Sequence, residues 1–283
     1  METSVIDKLS ALAHENRLSV FRLMVRRYPD AVPAGEIAGV LGFKANTTST
    51  YLSILRSAGL IDQRRIGTSL CYQAKLDGLK GMFDTLISDC CQNRPDICNV
   101  TQSAPLPMPT AERPLNVLFI CTGNSARSIL AEALLNGEGD GRFRAYSAGI
   151  APKGYAHEEA LSTLVARGYD VSKLSPKGLA PFLRADAPQM DLVITVCNQA
   201  ANEEPPQLPG QPLHAHWGVA NPDADPSSAK TAMRATFEVL KQRIQALTWL
   251  PFERLDRQSL QHRIDELGHL TPPQSSPLRG TVG

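Results

Sequence analysis

Residues 99–114 read NVTQSAPLPMPTAERP, with four prolines and almost no periodic apolar pattern. Proline fixes φ and removes a backbone donor, so such a stretch neither continues a helix nor sits inside a sheet, and it predicts a semi-extended linker. The rest of the chain must then fold as two units, one within residues 1–98 and one within 115–270. A length of 283 residues with 42% apolar content is enough to give each unit its own core. The run TPPQSSPLRGTVG, over residues 271–283, is expected to be a disordered tail.

On the N-terminal side Leu9, Leu12, Leu18, Phe21, Leu23, Met24 and Val25 recur at helical spacing, as two short helices parting near His14–Asn16 and closed by Pro29. Gly35 to Leu41 and Ala45 to Ser57 flank a break at Gly42-Phe43-Lys44, which is helix-turn-helix spacing, and Gly59 stops the second helix. Two β-prone runs around Arg65-Ile66-Gly67-Thr68 suit a hairpin, or wing. Leu76 to Cys91 returns to helical periodicity, with Leu79, Met82, Phe83, Leu86 and Ile87 on one face, a helix able to pair two subunits.

A net charge of +1, and 12 Lys and Arg against 10 Asp and Glu in residues 1–100, exclude any argument from bulk basicity. Local pattern has to carry a nucleic-acid reading. The second helix of a helix-turn-helix enters the major groove, so its first turns need polar side chains, and Asn46, Thr47, Thr48, Ser49, Thr50 and Tyr51 supply them. Arg64 and Arg65 on the wing, with Lys44, would add phosphate contacts. A helical bundle with a merely solvated polar face would give the same helix start, but not the whole order of elements. LSALAHENRLSVFRLM, AGEIAGVLGFKANTTSTYLSILRSAGLI and the Arg-rich wing resemble the ArsR/SmtB family of metalloid- and metal-responsive repressors over residues 5–98. That resemblance implies a homodimeric winged-helix repressor that binds a two-fold operator DNA and releases it when a soft metal or metalloid binds.

No apolar run approaches bilayer length and the N-terminus lacks a signal-peptide core, so a cytoplasmic protein without membrane partners is expected. In that reducing compartment six cysteines point to metal, redox or nucleophilic chemistry more than to structural disulfides. Cys90, Cys91 and Cys98 could converge as a three-thiolate site for soft arsenite or antimonite acting as inducer. Adjacent cysteines cannot share one face of a continuous helix, so an unwound end near Pro95 would be needed. Buried structural thiols, or a zinc site short of a fourth ligand, fit the same trio. The trio also resembles the C-terminal cysteine triads of some ArsR/SmtB members; the paired thiolates of others, on the helix before the recognition helix, are absent. Cys71 reads as a packed small residue.

On the C-terminal side the buried-type strand Leu115 to Ile120 runs into Cys121-Thr122-Gly123-Asn124-Ser125-Ala126-Arg127-Ser128 and then a helix to Asn136. This places successive backbone N–H groups and a positive helix end around one anion, phosphate or arsenate. The same field favours a Cys121 thiolate able to attack the bound oxyanion, with Arg127 clamping its oxygens and Asn124 and Ser128 orienting loop and thiolate. Phe143–Ser147, His157–Gly168, Leu192–Cys197 and Met233–Leu247 continue the strand-helix alternation of a doubly wound parallel α/β sheet. The fold class expected is therefore a mainly-α winged helix-turn-helix followed by an α/β unit.

LFICTGNSARSILAEALL resembles the catalytic loop of low-molecular-weight protein tyrosine phosphatases and of the arsenate reductases that share their fold. YSAGIAPKGYAHEEAL, DLVITVCNQAANEE, HAHWG and RIQALTWLPFERLD extend the reductase likeness over residues 115–265. It implies arsenate addition to Cys121, attack by Cys197 on the Cys121 sulfur, release of arsenite and a disulfide reduced by thioredoxin, glutaredoxin or glutathione, with no tightly bound cofactor. The chain departs from that pattern twice. Pro205 stands where relatives carry a third cysteine, and Asn221 stands where they carry the acid of an Asp-Pro pair, leaving Asp223 and Asp225 as candidate proton donors. Two other outcomes stay open: a repressor with a degenerate oxyanion-binding module, and a tyrosine phosphatase, which the missing aromatics after Pro222 and Pro226 disfavour.

Overall fold

The computed structural model describes residues 4–92, 106, 108–205 and 207–271. Cys98, most of the proline-rich stretch and the tail from residue 272 lie outside the described residues.

Helices α1 (Val5–Leu12) and α2 (Glu15–Arg26) part at Ala13-His14, and Ser4 caps α1 in a reciprocal capping box with Asp7. Strand β1 (Val32–Pro33) leads to α3 (Ala34–Leu41) and α4 (Ala45–Ser57), joined by Gly42 in the left-handed conformation at φ 68° that ends α3. Strands β2 (Ile61–Ile66) and β3 (Ser69–Ala74) form the wing, with Gly67 at φ 59° in the turn. Strand β1 pairs with β3, an addition too short to carry a period of its own. Helix α5 (Leu76–Thr85) continues as a π-helical turn over Leu86–Cys90. Val20, Leu23, Met24, Ile37, Leu52, Leu55, Leu60 and Ile61 form the core of this unit.

The second core is built on a parallel sheet in the order β5-β4-β6-β7: β4 (Leu115–Cys121), β5 (Phe143–Gly149), β6 (Leu192–Thr195) and β7 (Leu213–His216). Helices α6 (Arg127–Glu138), α7 (Glu158–Val165), α8 (Asn198–Asn202), α9 (Ala229–Thr248) and α10 (Arg257–Leu267) complete the doubly wound unit. Strand β4 is buried along nearly its whole length, as a central parallel strand covered on both faces must be. Trp217 is fully buried and donates its indole N–H to the Ile264 carbonyl, pinning α10 to the end of β7.

The sequence expectation for β6 needs correction. The strand stops at Thr195, and Cys197 is the N-cap of α8, its Sγ accepting from the Ala200 amide at 3.4 Å. Among the described residues no helix is long and apolar enough to cross a membrane.

Candidate active site and DNA-reading surface

Parallel sheets place binding sites at the carboxyl ends of their strands, and there the chain turns sharply after Cys121 before entering α6 at Arg127. The loop is held from outside by backbone. The carbonyls of Cys121, Thr122, Gly123 and Ser125 accept from the amides of Ile150, Ala151, Lys153 and His157. With those carbonyls tied outward, the amides of Thr122, Gly123, Ser125, Ala126 and Arg127, which find no protein acceptor among the described residues, are left for an anion. Gly149 permits this approach: a Cβ there would lie 2.8 Å from the Thr122 oxygen.

A buried polar network fixes the loop from inside. Asn124 takes φ 44°, and its carboxamide donates to Ser128 Oγ at 2.9 Å and Ser147 Oγ at 2.7 Å while accepting from the Lys177 amide at 2.7 Å. Ser147 in turn donates to Glu132, which pairs with Lys177 at 3.4 Å. Burial pushes the Glu132 carboxyl above its ordinary range, and the Ser147 hydrogen bond and Lys177 charge only partly oppose that. Cys121 Sγ accepts from the Asn124 amide at 3.1 Å and lies 2.9 Å from Ser128 Oγ. Glu132, Ser147 and Lys177 were not singled out from the sequence, because they are brought to the loop by α6, β5 and a distant turn.

The parallel register sets Ile120 opposite Thr195, so Cys121 and Cys197 leave adjacent strands one position apart. Both thiols are buried, and Thr122 Oγ1 lies 3.4 Å from Cys197 Sγ, bridging loop and α8. Arg127 is half-buried and donates to the Val219 carbonyl at 3.1 Å, which places the segment carrying Asn221 and Asp223 over the loop mouth.

The two candidate acids separate clearly. Asp225 is exposed and accepts from the Ser227 amide and hydroxyl and the Ser228 hydroxyl. These hold its carboxyl below the usual range and tied to its own turn in solvent. Asp223 is half-buried with Oδ1 3.0 Å from His157 Nε2. His157 Nδ1 accepts from the Glu159 amide, and the His157 backbone supports the loop at Ser125. Asn221 is exposed and accepts from the Asp223 amide at 3.5 Å.

In the N-terminal unit the recognition-helix set divides. Asn46, Ser49 and Thr50 are exposed and Thr47 half-buried, with Lys44, Arg64 and Arg65 exposed beside them. Thr48 is 1% exposed and its hydroxyl donates to the Lys44 carbonyl, so it is withdrawn from the expected set of base readers. Tyr51 packs against His14 and Phe43 and accepts from Asn16, a structural role for most of its surface. Cys90 ends the π-helical turn and Cys91, still in the right-handed helical region, caps it with its amide donating to the Leu86 carbonyl at 2.9 Å, while the unwound end expected near Pro95 lies outside the described residues. Among the described residues no group of three or more His, Cys, Asp or Glu side chains could hold a metal ion, and Cys98 is outside those residues.

A profile of the family described as low molecular weight phosphotyrosine protein phosphatase matches residues 116–261. An arsenate reductase from Bacillus licheniformis is 34% identical over 106 residues, covering 38% of this chain and 73% of the relative. A crystal structure of arsenate reductase from Archaeoglobus fulgidus is 29% identical over 47% of this chain and 98% of that one, with a TM-score of 0.38. The homodimeric winged helix-turn-helix DNA-binding domain from Mycobacterium bovis, described as a possible ArsR-family transcriptional regulator, is 25% identical over 32% of this chain and 83% of that one, with a TM-score of 0.26.

Proposed function

Because the chain belongs to the low molecular weight phosphotyrosine protein phosphatase family, with arsenate reductases among its relatives, we propose that it is a bifunctional arsenic-response protein. Its Cys121 loop reduces arsenate to arsenite, and its winged helix binds operator DNA until a trivalent metalloid occupies Cys90, Cys91 and Cys98. The observation that carries the reductase half is a nucleophilic thiol seated inside an outward-tied amide loop, with a second buried thiol touching the same loop through Thr122.

In this reading arsenate binds the free loop amides and Arg127, and the Cys121 thiolate bonds to arsenic as one oxygen departs as water, its proton supplied from Asp223. Cys197 then attacks the Cys121 sulfur. A sulfur–sulfur bond forms, the sulfur–arsenic bond breaks, and arsenic leaves two electrons richer as arsenite. With Pro205 in place of a further thiol, an external thioredoxin, glutaredoxin or glutathione reduces the disulfide directly. On the regulator half, α1 and α5 leave Ile6, Leu9 and Phe83 substantially exposed, a surface suited to a homodimer.

Arsenite production by purified protein with thioredoxin or glutaredoxin tests the enzyme half. Cys121→Ser and Cys197→Ser are each expected to lower turnover by at least about 10³-fold, as loss of a nucleophile does. No arsenite with either reductant, in protein that still releases operator on arsenite addition, would favour the degenerate-module reading, for which Asn221 is the specific observation.

A further inference from the structure

Helix α8 begins at one thiol of the pair and ends against the regulator. At its start Cys197 is the N-cap. At its end Arg26 of α2 donates to the carbonyls of Ala201 and Asn202 at 3.3 and 3.1 Å. Arg27, only 1% exposed, donates through Nη1 both to Asn202 Oδ1 at 2.9 Å and to Glu36 Oε1 at 2.5 Å. Glu36 lies on α3, the first helix of the helix-turn-helix. A third link runs through His216, whose Nε2 lies 3.3 Å from both Asn198 Oδ1 on α8 and Asp30 Oδ2 in the loop after α2. Five residues of helix therefore separate a redox-active sulfur from the buried arginine that braces the DNA-binding unit.

Joining Cys197 to Cys121 needs a sulfur–sulfur distance near 2.0 Å. Cys197 Sγ must then leave the Ala200 amide that it now caps and its contact with Thr122, which unties the first turn of a one-turn helix. A close-packed surround would resist the movement, but α8 borders a cavity of about 560 Å³ between the two units, lined on one side by Ala200, Ala201 and Pro205 and on the other by Val25, Arg26 and Tyr28. The helix has room to shift, and its far end cannot shift without disturbing Arg26 and Arg27.

We infer that the Cys121–Cys197 pair is a second input to DNA binding: the disulfide form binds operator more weakly than the dithiol form, with α8, Arg26, Arg27 and Asn202 as the connection. The inference rests on the reductase reading only for its natural oxidant, arsenate, which takes the two electrons released as the sulfur–sulfur bond forms. Arsenate would then relieve repression before any arsenite reached Cys90, Cys91 and Cys98, and the reductant that regenerates the enzyme would also restore repression.

The test uses the full chain with Cys90, Cys91 and Cys98 changed to Ser and a duplex selected by that reduced protein from a random library. The pair is oxidised with diamide, an azo oxidant that takes up the two electrons, and the bond is verified by peptide mass. Operator affinity is expected to fall on oxidation by a factor within the range of about 5–150 typical of coupled sites, and to recover with dithiothreitol. In Arg26→Ala/Asn202→Ala protein, which keeps both thiols, oxidised and reduced forms should bind alike. Failure of diamide to join the thiols, equal affinities in the two forms, or a difference that survives the double substitution overturns the inference. A parallel arm with arsenate as oxidant separates the two proposals: no arsenite there, with the diamide effect intact, would sink the reductase reading alone.

Discussion

Two stretches of eight residues, Lys44–Tyr51 and Cys121–Ser128, look alike as sequence. Each is rich in Asn, Ser and Thr, opens a helix and is proposed to meet phosphate-like oxyanions. Their side chains are used in opposite ways. Asn124, Ser125 and Ser128 are buried and spend their hydrogen bonds on holding the loop, so that backbone amides are left for the guest. Asn46, Ser49 and Thr50 stay exposed, as the proposed operator binding requires, since a duplex is too large to enclose and must be met by side chains that reach outward. On the proposed functions, guest size more than composition decides whether a polar side chain is scaffold or reader.

The contrast is sharpest where enclosure should select between chemically equal groups. Asp223, beside His157 at the loop, and Asp225, tied to Ser227 and Ser228 in solvent, are only two positions apart. Asp223→Asn is expected to lower kcat for arsenate by about 10²-fold or more, in the range for loss of a general acid, whereas Asp225→Asn should leave it nearly unchanged. Steady-state rates of the two variants decide this; comparable losses would mean that the 219–226 segment acts as one unit.

Enclosure also makes charge expensive. Burial, opposed only by the Gln261 hydrogen bond, raises the Asp265 carboxyl from 3.8 to about 7. Between about pH 4 and pH 7 the folded chain then holds a proton that the unfolded chain has released, so stability falls as pH rises and the loss is complete above about pH 7. Asp265→Asn keeps an acceptor for Gln261 and removes that loss, so unfolding at pH 8 should become harder by roughly 3 kcal/mol, with little change near pH 3.5. Denaturant titrations at both pH values check it, and a gain of equal size at the two would place the cause elsewhere.

Much of this organisation was legible in the sequence because it is local. The period of α4, the left-handed Gly42, the turn at Gly67 and the strand feeding Cys121 each announce themselves within a few residues. What stayed hidden depends on chain returning from far away. Strand β1 has only two residues, α8 is a single turn, and the Glu132–Ser147–Lys177 support of Asn124 joins three elements. The burial of Thr48 was equally invisible, since a threonine facing the core and one facing a duplex read the same in a run of polar residues.

Matched substitutions would test the comparison itself. Asn124→Ala removes a buried carboxamide that serves three partners, and should cost about 1–3 kcal/mol of stability together with a fall in kcat. Asn46→Ala, at an exposed position, should leave the melting curve in place and weaken operator binding by about 1–3 kcal/mol. Thermal melts and binding isotherms for both variants separate the roles; a destabilised Asn46→Ala protein would break the contrast.

The smallest effects belong to the wing. Arg64 and Arg65 are successive residues of β2, so their side chains leave opposite faces of the hairpin, with Arg64 across from Cys71 and Arg65 across from Leu70. One duplex cannot lie against both faces, so only one of the two arginines should contribute a phosphate contact. Its replacement by Ala should weaken binding uniformly across sequences and lower the slope of log affinity against log salt by about one, while the other changes neither. Thr48→Val, which loses only a bond to the Lys44 carbonyl, should behave like the silent arginine. Equal loss of slope from both arginines would show the duplex wrapping the wing tip, and the open region would then enclose its guest after all.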